Sequence, residues 1–108
     1  VERAAEMLVA ARLPMLHAGG GVIHAGAFAE LAQVAELLHA PVTTSWNARG
    51  ALAETSPLAW PMIHIEACNR LRNQADLVLC LGSEVGETDW WGKPPYWAPP
   101  RVQRWIQV

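Results

Sequence analysis

Three consecutive glycines, Gly19-Gly20-Gly21, follow directly on the apolar run Pro14-Met15-Leu16-His17-Ala18. A strand-to-helix turn that carries no side chains lets backbone N–H groups approach a phosphate at a helix N-terminus. The same triplet also fits a tight turn that needs only positive φ. A second glycine turn, Gly82-Ser83, closes the apolar run 75–81, and Ser45 ends the short run Val42-Thr43-Thr44. In a parallel sheet these positions would fall where the strands end and ligands sit. The spacing is not G-x-G-x-x-G, because His24 stands where the third glycine or alanine belongs. The second strand also ends in Thr44-Ser45 and not in the acid that reads a ribose, which argues against a standard NAD dehydrogenase.

Of the four histidines, His17 reads as a core residue, and His24 and His39 as solvated or helix-end residues. His64, beside the start of a helix near the same edge, reads either as a binding or as a structural residue. No histidine forms an H-E-x-x-H pair or joins a cysteine at zinc spacing. Segment 84–100 gathers Trp90, Trp91, Tyr96 and Trp97 among four prolines. So long a connection is usually functional or docks against something. The aromatics are expected to bury against a neighbouring domain or subunit, or to stack on a flat cofactor ring. Glu84, Glu87 and Asp89 read as a solvated acidic rim, with paired acid/base work as the alternative. There is no nucleophile elbow or Walker loop, so no catalytic residue and no metal ligand is assigned.

The elements that must position these residues follow from periodicity. Residues 1–12 carry a helical apolar spacing that Pro14 stops, and 27–39 repeats apolar residues at Leu31, Val34, Ala35 and Leu38 before Pro41. Residues 62–71 predict a shorter helix. Runs 14–18, 42–45, 75–81 and 104–108 predict four strands, the third apolar enough to be buried on both faces. This alternation argues for right-handed βαβ units in a mainly parallel sheet, which binds ligands at the carboxyl ends of its strands. Gly19, Gly20, Gly21, Ser45, Gly82 and Ser83 all fall at that edge.

The chain has 108 residues, 52% hydrophobic and 17% charged, enough for one core and too apolar for disorder. The net charge of −2 with scattered basic residues gives no footprint for nucleic acid, and no apolar run predicts a membrane span. Cys68 and Cys80 read as inert core thiols, a usage that fits a reducing cytoplasm. With no initiator Met, and a last residue inside a predicted strand, both ends read as cuts from a longer chain.

Four ordered blocks, Leu13–Val22, Leu37–Thr44, Gly50–Leu58 and Ala75–Ser83, closely resemble the central domain of thiamine diphosphate-dependent enzymes. The acetolactate synthase (acetohydroxyacid synthase) branch is the most similar, and the resemblance runs across residues 1–108. It implies one three-layer, Rossmann-like, doubly wound α/β domain of the DHS-like NAD/FAD-binding type, truncated at its C-terminus. It further implies that thiamine diphosphate and magnesium belong to the pyrimidine- and pyrophosphate-binding domains of a full-length parent. That parent would be a homo-oligomer that decarboxylates a 2-keto acid and joins the two-carbon unit to a second carbonyl, or releases it. On this resemblance the 108-residue chain is inactive alone.

In flavin-binding members of the family this middle domain holds FAD. The matching positions here are Gly19, Gly20, Gly21, Ser45 for the usual threonine, His64 of a usual His-Gly pair, and Gly82-Ser83. Two departures weigh against FAD: Ile65 replaces the glycine after the histidine, and Glu84 stands where an arginine is usual. A carboxylate in that place would turn attraction to a pyrophosphate into repulsion, up to roughly 4 kcal/mol per charge pair at about 4 Å and an effective dielectric near 20. A stand-alone nucleotide- or flavin-binding module, or a purely structural oligomerisation domain, are the alternative readings of the same residues.

Overall fold

The computed structural model describes residues 1–86, 89–99 and 101–108. In chain order the elements are α1 (Glu2–Ala10), β1 (Pro14–Ala18), α2 (Gly20–Ala25), α3 (Phe28–Leu38), β2 (Val42–Thr44), a 3-10 turn (Trp46–Ala48), α4 (Ile65–Gln74), β3 (Leu77–Leu81) and β4 (Arg104–Gln107). The four strands form one sheet in the order β2-β1-β3-β4, and every pair is parallel. From β1 the chain moves to one side through α2 and α3. From β2 it returns through α4 to the other side of β1, so the direction of winding reverses between β1 and β3. The expected doubly wound α/β architecture is therefore present.

Alternate strand residues point to opposite faces, and the sheet separates two cores accordingly. Leu16 and Ala18 of β1, Val42 of β2, and Leu77 and Leu79 of β3 pack with Leu8 of α1, Val22 of α2, and Leu31 and Ala35 of α3. Met15 of β1 and Val78 of β3 pack on the other face with Leu71 of α4, Ala75 and Trp97. The segment between β3 and β4 thus covers part of this second face with aromatic side chains where a doubly wound sheet usually carries a crossover helix. At the amino edge, the Asp76 carboxylate accepts the backbone N–H groups of Arg12 and Leu13 at 3.0 and 2.9 Å, tying the entry of β1 to that of β3.

Two elements differ from the periodicity reading. Residues 20–25 form a helix of their own, closed by Gly26 in the left-handed region at φ 64°. This short helix leaves no repeating stripe, and a left-handed glycine just past its end is the one signal that marks it. Helix α4 starts three residues later than the spacing predicts. The preceding segment is held beside β2, with Val42 N–H donating to Leu58 O at 2.8 Å and Trp60 N–H to Val42 O at 2.9 Å. That pairing places Ala59 in a parallel bridge with Val42, and Pro61 follows shortly after.

Candidate functional site

The winding reversal brings two glycine turns together at the carboxyl edge. Gly19 N–H donates to Leu81 O at 2.8 Å, and Gly21 N–H to Gly82 O at 2.9 Å. The backbones touch: a methyl on Gly21 would stand 2.7 Å from Gly82 Cα, and one on Gly82 2.7 Å from Gly21 Cα. A methyl on Gly19 would meet Gly82 O and the α- and β-carbons of Ser83. Close approach of β1 and β3 is therefore what the glycines serve here, together with φ 60° at Gly82. Val22 N–H also donates internally, to Gly19 O at 3.1 Å. Three amide donors of the kind a phosphate loop directs outward, those of Gly19, Gly21 and Val22, are engaged within the protein.

Above this junction lies a cleft of about 590 Å³. Gly20, Gly21 and His24 form one wall, Ser45, Trp46 and Asn47 a second, and Gly82, Ser83, Glu84, Gly86 and Asp89 the third. Gly19 is buried beneath it. Ser45 is anchored by its N–H to Ala18 O at 3.0 Å, and its hydroxyl donates to Asn47 Oδ1. Ser83 donates through its hydroxyl to Asp89 Oδ2 at 3.2 Å and accepts Val85 N–H at 3.1 Å. Of the residues singled out in the sequence, Gly20, Gly21, Ser45, Gly82 and Ser83 share this cleft. His64 does not: it caps α4 and lines a separate depression with Ile63, Ile65, Glu66 and Arg70.

The acidic segment is not the solvated rim expected. Glu84 is exposed, but Asp89 is buried, and Glu87 lies outside the described residues. Asp89 Oδ2 stands 3.6 Å from Nε2 of the fully buried His17, whose Nδ1 is 2.9 Å from Thr43 Oγ1. Burial pushes the His17 pKa down, against the opposing pull of Asp89, so the imidazole is held neutral. Burial pushes the Asp89 carboxyl up, but His17, Ser83 and Arg72 outweigh it and bring the group below its ordinary value. Nor do the aromatics all wait for an outside partner. Trp97 is fully buried in this chain's own core. It donates Nε1–H to Asp89 O at 2.6 Å, meets His17 edge-on at 5.5 Å, and lies under the Arg72 guanidinium at 4.5 Å. Trp90 and Trp91 stay about 40% exposed and contact Tyr96 and Trp105.

Trp46 and Asn47 belong to the cleft and were not singled out as site residues, and Asp89 was weighed only as part of an acidic rim or an acid/base pair. The first two follow directly on Ser45, so the rule that ligands sit beyond strand carboxyl ends covers them. Asp89 had no such signal, because only the folding of its loop carries it back to His17.

A doubly wound parallel sheet whose two glycine turns meet at its switch point defines the class of Rossmann-like α/β domains. Within that class, this chain belongs to the family described as the central domain of thiamine pyrophosphate enzymes, which it matches over residues 1–108. It is 44% identical over 89 residues to a protein of Pseudomonas aeruginosa named as a probable 2-ketoarginine decarboxylase, covering 82% of this chain and 16% of that one. A sulfoacetaldehyde acetyltransferase of Alcaligenes xylosoxydans is 36% identical over 116 residues, covering 100% and 18%. An acetolactate synthase of Mycobacterium bovis is 39% identical over 91 residues, covering 81% and 15%. The chain thus spans about a sixth of the length of the curated relatives it matches. Among solved structures, one described as a thiamin diphosphate-dependent enzyme from Mycobacterium smegmatis superposes with a TM-score of 0.71 at 29% identity, over 97% of this chain and 20% of that one.

The residues present do not fit thiamine diphosphate. Among the described residues the cleft offers carboxylates and no Lys or Arg, three amide donors of its glycine turn are engaged, and no three His, Cys, Asp or Glu converge as metal ligands. The same carboxylates oppose a flavin pyrophosphate.

Proposed function

We propose that this chain is the middle scaffold domain of an acetolactate synthase-like thiamine diphosphate-dependent enzyme. The full-length parent decarboxylates a 2-keto acid and transfers the resulting two-carbon unit, while thiamine diphosphate and magnesium are held by its other domains. One observation carries this reading. The backbone contact of Gly21 with Gly82 joins the two halves of the sheet directly, and the cleft above it is lined, among the described residues, by carboxylates with no Lys or Arg to cradle a diphosphate. The relatives' names give the reaction class. The half-exposed Trp90 and Trp91 supply an apolar surface for a neighbouring domain or subunit of the parent.

The test compares the full-length protein with the 108-residue chain. Incubated with pyruvate, thiamine diphosphate and magnesium, the full-length protein is expected to release carbon dioxide and form acetolactate, and the 108-residue chain to do neither. Turnover by the short chain, or no thiamine-dependent decarboxylation of any 2-keto acid by the long one, refutes the proposal. The cleft is a degenerate nucleotide site that retains flavin weakly. A stoichiometric yellow complex in the visible spectrum of the purified chain would overturn that part.

A further inference from the structure

We propose that residues 89–99 form a strap that lifts from the sheet as one unit while the sheet and its helices stay folded. The inference goes beyond the scaffold reading, which stands whether or not the strap moves. Among the described residues, every backbone-to-backbone hydrogen bond of this segment is a turn bond between residues three positions apart. They run from Asp89 N–H to Gly86 O, Lys93 N–H to Trp90 O, Tyr96 N–H to Lys93 O and Val102 N–H to Pro99 O. None joins the segment to a strand or a helix. Strands tied by ladder hydrogen bonds open only with the core, whereas a segment without such bonds opens at lower free energy.

The segment also has contacts of its own that travel with it. Trp97 Nε1–H donates to Asp89 O at 2.6 Å, and the rings of Trp90 and Tyr96 lie 4.2 Å apart. Side chains alone hold it to the rest. Trp97 packs with Met15, Leu71 and Val78, Asp89 meets Ser83 and His17, and the Asn73 side-chain amide donates to Pro95 O. The polar groups in this contact are incompletely paired. His17 Nε2, Arg72 Nε and Nη1, and Asp89 Oδ1 are buried with no hydrogen-bond partner among the described residues, and all three side chains belong to residues that touch Trp97. Such groups regain water when the strap lifts, which offsets part of the lost Trp97 packing.

Native-state hydrogen exchange of the intact chain, followed by NMR, tests the proposal. The Trp97 indole N–H reports the strap, and the buried Leu16 amide, which donates to Pro41 O at 2.9 Å, reports the core. After correction for intrinsic rates, the indole is expected to open at least about tenfold more often than the Leu16 amide. Its opening should also respond less to low concentrations of denaturant, because lifting a strap exposes less surface than unfolding the chain. Asn73 is exposed, so Asn73→Ala leaves the fold intact while removing one tie to the strap. That variant should speed the indole exchange about threefold without speeding that of Leu16. Equal opening of the two sites with equal denaturant dependence overturns the proposal. So does an Asn73→Ala variant in which the indole exchange is unchanged, or in which both sites speed up alike.

Discussion

Nε2 of His17 lies 3.6 Å from Oδ2 of Asp89, and neither side chain is more than 3% exposed. The pair joins the central strand β1 to the aromatic segment that precedes β4. Because Asp89 also holds Ser83, the same carboxylate links the floor of the sheet to the wall of the cleft.

Stability is expected to fall with pH below about neutrality. The unfolded His17 takes up a proton near its ordinary value of 6.5, whereas the folded imidazole, its pKa lowered by burial, resists it. Below that pH the unfolded state binds more protons, so protonation favours unfolding. The contribution of His17 is lost as pH falls from its unfolded toward its folded pKa, at a slope of at most about 1.4 kcal/mol per pH unit. Urea denaturation between about pH 7.5 and about pH 5.5, each about one unit from the ordinary histidine value, should show this slope. His17→Gln should flatten it, and an unchanged slope in that variant would contradict the assignment.

Gly19→Ala should destabilise the chain by about 1–3 kcal/mol, the usual cost of forcing an extra methyl into packed surroundings. The methyl would press on Gly82 O and on Ser83. Gly86→Ala is the control, since nothing stands within 4 Å of its added methyl. It should stay within about 0.5 kcal/mol of the parent. The denaturation midpoints of the two variants test the difference.

Arg72→Met should leave stability within about 1 kcal/mol of the parent, or raise it. Arg72 is fully buried, and its Nε and Nη1 have no partners among the described residues. Each unpaired donor costs about 1–3 kcal/mol, which matches or exceeds the roughly 2 kcal/mol of a desolvated cation–π contact with Trp97. Trp97→Ala, by contrast, should cost about 3–5 kcal/mol. Thermal unfolding of both variants gives the comparison, and a large loss for Arg72→Met would show that its charge is needed.

Neither cysteine should react with a thiol reagent at pH 8, about half a unit below an ordinary thiol pKa, while the chain is folded. Both are fully buried, and burial pushes the Cys80 thiol up to about 11 and raises that of Cys68 as well. Thiolate is the reacting form, so both protection and a low thiolate fraction slow the reaction. Denaturant should release two reactive thiols, counted by absorbance. Rapid labelling of the native chain would show that one of them is accessible.

The apolar run 75–81 and the glycine turns were legible because local chemistry dictates them. A strand buried on both faces must be continuously apolar, and a turn under tight contact must lack a side chain. That is why β1, β3 and the placing of both glycine turns at the carboxyl ends of their strands follow from composition and order along the chain, whereas the contact of Gly21 with Gly82 does not. Helix α2 was not legible, since six residues are too few to repeat a stripe. The fates of Asp89 and Trp97 were hidden for a different reason. An acid among prolines and aromatics reads as solvated until the chain folds back, and only His17, Thr43 and Arg72, distant in sequence, create the environment that buries it.

By itself, then, the sequence determined the alternation of strands and helices, the family, and the edge at which the glycine turns fall, because these depend on residue types and their order. Tertiary structure alone decided that the glycine amides turn inward, that His64 stands apart, and that Asp89 faces the cleft from within the core. Those outcomes depend on which distant backbones meet, and hydrogen-bond donors and charges are assigned only after that meeting has occurred.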